Sequence, residues 1–308
     1  MNFLCEFMFW NNFLTCQMVL MTEISNTSEL LEACLRYLVL GIVQGLTEFL
    51  PISSTAHLKV VPMMLGWPDP GVSVTAVLQL GSIFSVLTYF RKDLKNILKG
   101  ITLGLKFDQW REPNAKLGIA IFTGTIPILL LGISIKLFWA DFEDSYLRSI
   151  PFIACISILM ALLLGLAEKM GNQKKDLLRI SGRDGFLIGL GQMLALIPGV
   201  SRSGITLTSS MFCGLKRADS ARFAFLIGLP AITFAGLAEV KNSLSGIYEF
   251  KSELLPLIIG ISAAAFVSWI VIDWLLQYLQ KNSTWTFIAY RLLFGVTLLF
   301  WWWGIPST

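Results

Sequence analysis

Gln44 and Glu48 stand four residues apart, so a helix carries both on one face. Ser53, Ser54 and Thr55 follow behind Pro51, and His57 lies three residues beyond Ser54. Far along the chain a second cluster, Ser201, Arg202, Ser203, Gly204 and Thr206, follows Pro198 and Gly199. Carboxylate and amide oxygens such as those of Glu48 and Gln44 are hard ligands that hold a divalent cation together with substrate phosphates. A hydroxyl run behind a proline is N-cap chemistry, and it leaves backbone N–H groups free to cradle an anion. His57 is the single histidine of the chain. It is suited to acid–base work near neutrality, one turn from a serine hydroxyl that could serve as nucleophile. Arg202 can grip a phosphate through two parallel hydrogen bonds, and the glycines beside it allow close backbone approach.

Each feature also has a plainer explanation: a structural Gln44–Glu48 hydrogen bond, simple helix capping, an arginine reaching for the surface. Their clustering weighs against it. The chain has 308 residues, 55% hydrophobic and only 14% charged, with a net charge of +4, and its mean hydropathy is +0.69. A soluble domain carries about 25% charged residues, so an ordinary cytosolic enzyme and a disordered chain are both excluded. The five cysteines are scattered without a C-x-x-C pair, which argues against disulfide, zinc-ribbon and redox designs. In such a chain an uncompensated glutamate at bilayer depth costs about 3 kcal/mol and marks a site.

The elements that must position these residues are membrane helices. Apolar blocks of bilayer length occupy 72–90, 117–138, 149–167, 218–238, 254–279 and 285–303. The segments 91–116 and 168–183 are rich in lysine and arginine, whereas 139–148 carries three acids and one arginine. The positive-inside rule places both basic loops in the cytoplasm and the acidic one outside. On that frame the far ends of 36–50 and 183–197 both point outward, so the two clusters should converge from the same face. Residues 1–20 are apolar and aromatic without a signal-peptide pattern. They read as a dispensable extension within 1–30 or as an interfacial helix. Asp273 and Arg291, near span ends, read as snorkelling or structurally paired, and Trp301–Trp303 as an interfacial belt.

The segments 36–50 and 183–197 stop at Pro51 and Pro198 after fifteen residues. That is about 22 Å, too short to span. Interrupted short helices at matching places in two halves point to a midplane site built from helix ends. The expected architecture is an all-α polytopic membrane protein with about six full spans and a broken, re-entrant helix pair in each of two repeats. Residues 31–304 form one domain: repeat one about 36–138, repeat two about 183–279, and a final span 285–303. Architecture alone would also suit a secondary transporter or lipid flippase, but a flippase needs no nucleophile beside a base.

Together, QGLTEFLPISSTAH at 44–57 and PGVSRSGIT at 198–206 resemble the two signatures of the bacterial undecaprenyl-diphosphate phosphatases of the bacitracin-resistance type. The likeness runs from about residue 36 to 303 and includes LQLGSI at 78–83. It implies hydrolysis of undecaprenyl diphosphate to the monophosphate carrier lipid with a divalent cation, Mg2+ or Ca2+, at the outer face of the bacterial inner membrane. That recycling supports cell-wall synthesis and confers bacitracin resistance. The family carries Glu or Gln at the position of Gln44, and the Gln form here shifts the metal or acid role onto Glu48. The expected assignment is Ser54 as nucleophile, His57 as base and then leaving-group acid, and Arg202 and Glu48 as catalytic partners. Direct phosphorylation of His57 stays open. Ser53, Thr55, Ser201, Ser203, Gly204 and Thr206 are expected to bind substrate. The expected partners are a polyprenyl diphosphate lipid and the bilayer, with no nucleic acid and a homodimer left open.

Overall fold

The computed structural model describes residues 27–139, 142, 145–243 and 247–304. The expected N-terminal extension lies outside the described residues up to residue 26, and from Thr27 the chain is already helical. Eleven α-helices follow among the described residues. The first five are α1 Thr27–Phe49, α2 Ser54–Met64, α3 Gly71–Tyr89, α4 Arg91–Phe107 and α5 Pro113–Phe138. The next three are α6 Ile150–Met170, α7 Gly182–Met193 and α8 Arg202–Phe212. The last are α9 Arg217–Ser243, α10 Ile247–Lys281 and α11 Trp285–Gly304. No sheet is present among the described residues, only one isolated bridge between Lys175 and Leu215.

Among the described residues six helices are long and apolar enough to cross a membrane: α1, α3, α5, α6, the Leu254–Lys281 part of α10, and α11. The chain is an all-α polytopic membrane protein. One span differs from expectation: the segment 36–50 belongs to a 23-residue helix, about 34 Å long, because Thr27–Leu35 extend the same helix backwards. The block 218–238 lies within the 27-residue helix α9. The basic segment 91–116 is mostly helix rather than loop. In α4, Gly100 and Gly104 lie against Asn114, Ala115 and Trp110 while the lysines face outward.

Local sequence explains where the elements begin. Glu112 caps α5 by accepting from Ala115 N–H at 2.8 Å, ahead of Pro113 in the first turn. A capping box between Ser181 and Asp184 starts α7. Contact between α5 and α7 depends on absent side chains: a Cβ on Gly185 would lie 2.2 Å from the Ala120 carbonyl oxygen, so the backbones touch. Phe49, at the end of α1, meets Phe225 of α9 edge to face at 5.1 Å and so fixes the neighbouring Glu48. Away from the centre, the buried Glu168 of α6 pairs with Arg217 at the start of α9 and accepts from the Thr284 hydroxyl at 2.7 Å, just before α11.

The two breaks form a pair of hairpins with their tips at residues 50–53 and 197–201. After the first tip α2 returns along α1, so that Pro62 and Trp67 line a cavity of about 480 Å³ with Arg36, Tyr37 and Leu40. Its outer turn places Asp69 3.8 Å from Arg148, in the connection before α6. After the second tip α8 returns to the connection that follows α6, where Lys175 N–H donates to the Gly214 carbonyl at 2.9 Å. Those two connections are at opposite ends of α6. The hairpins therefore enter from opposite ends of the bundle, not from the same face as the charge pattern suggested. The expectation fails at the first hairpin: α1 starts beside the Trp67–Pro70 turn, where Glu32 and Arg36 line the same cavity, so its far end at Phe49 points away from the connection before α6.

Candidate active site

Both tips turn on a serine in the left-handed region, where a residue with a Cβ rarely sits. Ser53 has φ 77° and ψ 100°, and Ser201 has φ 72° and ψ 113°. Each caps the helix it starts. The Ser53 hydroxyl accepts from Ala56 N–H at 3.4 Å, and that of Ser201 from Gly204 N–H at 3.1 Å. In each first turn the remaining N–H groups have no intrahelical partner, and two positive helix ends meet at the centre. The tips also touch, since the Ser203 hydroxyl donates to the Leu50 carbonyl at 3.0 Å.

Glu48 is the centre of the polar network and is only 5% exposed. One carboxylate oxygen, Oε2, accepts from Gln44 Nε2 at 3.0 Å and from the Ser54 hydroxyl at 2.8 Å. The other, Oε1, accepts from Gln79 Nε2 at 3.0 Å and from Arg202 Nη2 at 3.0 Å. Four donors on two oxygens balance the charge that apolar surroundings would otherwise penalise. Arg202 lies along α9, its Nη1 donating to the Ala224 carbonyl at 3.4 Å. Its Nε and Gln44 Oε1 are buried without a partner.

His57 stands apart from the Ser54–Glu48 pair. Its Nδ1 meets the Ser53 carbonyl at 2.7 Å, and because a carbonyl only accepts, the proton is on Nδ1. The neutral ring's Nε2 then accepts from the Tyr290 hydroxyl at 2.6 Å, and Phe294 stacks on the ring at 4.5 Å. No hydrogen bond joins His57 to Ser54 here; the Ser54 hydroxyl is on Glu48 instead. Of the expected binding residues, Ser53, Ser201, Ser203, Gly204 and Thr206 are buried at the tips, whereas Thr55 is exposed. Thr206 bonds its own helix, at 2.7 Å from the Arg202 carbonyl.

Gln79 and Tyr290 were not singled out from sequence as site residues, and Arg291 was read only as snorkelling or structurally paired. Arg291 does not snorkel. It is 1% exposed and donates to four backbone carbonyls: Pro51 at 3.2 Å, Gly199 at 2.7 Å, Val200 at 3.0 Å and Ser157 at 3.3 Å. Asp273 is paired as expected, accepting from the Tyr89 hydroxyl at 2.9 Å. The signal that could have found all three was a polar side chain inside an apolar span.

Among the described residues no group of three or more His, Cys, Asp or Glu side chains could hold a metal by itself. Glu48 with the unpartnered oxygen of Gln44 would supply one carboxylate and one amide ligand to a cation. That is the share a protein gives when substrate phosphates complete the shell. Serine hydroxyl, carboxylate and guanidinium meeting between two helix N-termini can bind an anion and transfer its phosphoryl group.

Comparison with known proteins agrees. The family model described as "Bacitracin resistance protein BacA" matches residues 37–297. A protein of Prochlorococcus marinus (strain MIT 9303) named undecaprenyl-diphosphatase is 63% identical over 283 residues, covering 92% of this chain and 96% of its own. The protein of that name from Parasynechococcus marenigrum (strain WH8102) is 61% identical, covering 92% and 98%. The one from Synechococcus sp. (strain RCC307) is 57% identical over 270 residues, covering 88% and 94%. With the match spanning both tips and the last helix that joins them, this chain belongs to the BacA family of bacitracin resistance proteins.

Proposed function

We propose that this protein hydrolyses undecaprenyl diphosphate to undecaprenyl phosphate and inorganic phosphate within the membrane, and that this activity gives bacitracin resistance. The observation that carries the reading is the Ser54 hydroxyl 2.8 Å from a Glu48 carboxylate whose other oxygen holds Arg202. The names of the relatives support the substrate. A polyprenyl tail does not leave the bilayer, because each buried CH₂ contributes about 0.8 kcal/mol, so its phosphatase must work there.

Ser54 Oγ attacks the terminal phosphorus while Glu48 accepts the hydroxyl proton. The bond from that phosphorus to the bridging oxygen breaks, and undecaprenyl phosphate leaves with the bond's electrons. Water then cleaves the Ser54 phosphoester, releasing phosphate and restoring the hydroxyl. Arg202 and the two helix N-termini stabilise the charge that spreads over the transferring group. The Ser54–Glu48 hydrogen bond supports Glu48 as the group that accepts the Ser54 proton. His57, held by the Ser53 carbonyl and Tyr290, braces the first tip. The unpartnered Gln44 oxygen beside Glu48 fits a divalent cation, Mg2+ or Ca2+, which when bound neutralises phosphate charge.

Charge asymmetry supports a multi-pass protein of the bacterial inner membrane, with the connection before α6 outside and α4 on the cytoplasmic side. A cysteine placed at Ser145 is expected to react with an impermeant reagent from outside and one at Gln173 is not. The reverse pattern would overturn this orientation. The decisive test is phosphate release from undecaprenyl diphosphate by purified protein in vesicles. Wild type should turn over with added divalent cation and Ser54→Ala should not. A wild type that moves the lipid across the bilayer without releasing phosphate would instead establish a flippase.

A further inference from the structure

We infer that Arg291 is a positioning residue for this reaction: one buried guanidinium on the last helix holds both hairpin tips in register. The inference rests on the phosphatase reading above. Pro51, Gly199 and Val200 lie just before the capping serines, where the helices are interrupted and their carbonyls lack helical partners. At bilayer depth such carbonyls must be satisfied from elsewhere. Arg291 satisfies all three, Pro51 of the first tip at 3.2 Å and Gly199 and Val200 of the second at 2.7 Å and 3.0 Å. Its Nε is anchored on Ser157 of α6 at 3.3 Å. A single planar fork thereby sets the distance across which Arg202 meets Glu48 and Ser203 meets Leu50.

Its charge has a second use. The Glu48–Arg202 pair is neutral as a unit, so it offers a diphosphate no net attraction. Among the described residues Arg291 forms no ion pair, and it holds the chain just before both capping serines. Arg291 leaves the site with a net positive charge. Gly204 shows how closely α8 is seated on it: a Cβ there would come 3.2 Å from Arg291 Nη1.

Lysine keeps the charge but offers donors from one point, and it cannot reach both tips and Ser157 at once. In reconstituted full-length protein, Arg291→Lys should lower kcat about 10²-fold, since displacing reacting groups by about 1 Å costs that much. Its KM should stay within about twofold. Arg291→Gln should lose kcat and raise KM as well, because the attraction goes with the charge. Arg217→Lys, which loosens the Glu168 pair far from the tips, should lower the melting temperature and leave kcat per folded molecule unchanged. Arg291→Lys with wild-type kcat would overturn the inference, as would Arg217→Lys losing kcat to the same degree. If Arg291→Lys does not accumulate, Gly204→Ala decides. Alanine favours the helix but its Cβ would press on both the Ser201 hydroxyl at 3.1 Å and Arg291 Nη1 at 3.2 Å, so kcat per folded molecule should fall; an unchanged kcat overturns the proposal. A wild type that releases no phosphate overturns the phosphatase reading itself, and this inference with it.

Discussion

The first and second hairpin tips share a backbone and divide the chemistry. Both turn on a serine at positive φ, 77° and 72°, and each serine caps an eleven-residue helix. Yet the first tip brings the Glu48 carboxylate, the Ser54 hydroxyl and the His57 imidazole, and the second brings the Arg202 guanidinium. On the proposed mechanism neither half transfers a phosphoryl group alone. The difference teaches that the fold supplies a repeated way of opening a helix at depth, and that side chains then specialise each copy. Strained serines at both tips suit this view, because left-handed backbone is tolerated only where the surroundings enforce it.

Removing charge from the first tip should have the largest effect. Glu48→Gln keeps the shape of the side chain but takes away the proton acceptor and the partner of Arg202. Turnover is expected to drop by more than about 10³-fold, with at most partial recovery at high divalent cation. Near-normal phosphate release at low cation would show that the first tip is not the acidic half. On the second tip, Arg202→Lys should cost about 10²–10³ in kcat, because a preorganised bidentate contact is lost. If kcat stays at the wild-type value and only KM rises, Arg202 binds substrate without stabilising the transition state.

The smallest effect compares the two caps directly. Ser53→Ala and Ser201→Ala each remove one capping hydrogen bond, worth about 1 kcal/mol of stability. Thermal unfolding should therefore drop by similar amounts in the two variants. A loss confined to one would show that the tips are alike only in shape.

The breaks themselves were legible in the sequence. Pro51 lies just past the end of α1, Pro198 follows the 3-10 turn Leu194–Leu196 that closes α7 after Met193, and hydroxyl runs behind both announce new N-termini by local rules that need no tertiary information. The polar residues gathered there identified Glu48, Ser54, His57 and Arg202 as one site. What stayed hidden was set over long distances. The Ser54–Glu48 hydrogen bond replaces the anticipated Ser54–His57 contact because Tyr290, 233 residues away, takes the imidazole. The direction of the first hairpin is set by where α1 starts, beside Trp67 and Pro70, which no charge count reveals. The helix α4 was masked because its lysines dominate the composition of the segment while Ile97, Gly100 and Gly104 bury its other face.

The reach of Arg291 also dates the site within the life of the chain. Its bond to the Pro51 carbonyl joins residues 240 positions apart. At roughly 5–20 residues added per second, the ribosome needs about 10–50 s to pass from one to the other. During that interval Ser54 has been made while the Arg291 bond to Pro51 has not. On the proposed reading, chains that end before the final helix carry the reacting groups unclasped, and competence comes only with that helix.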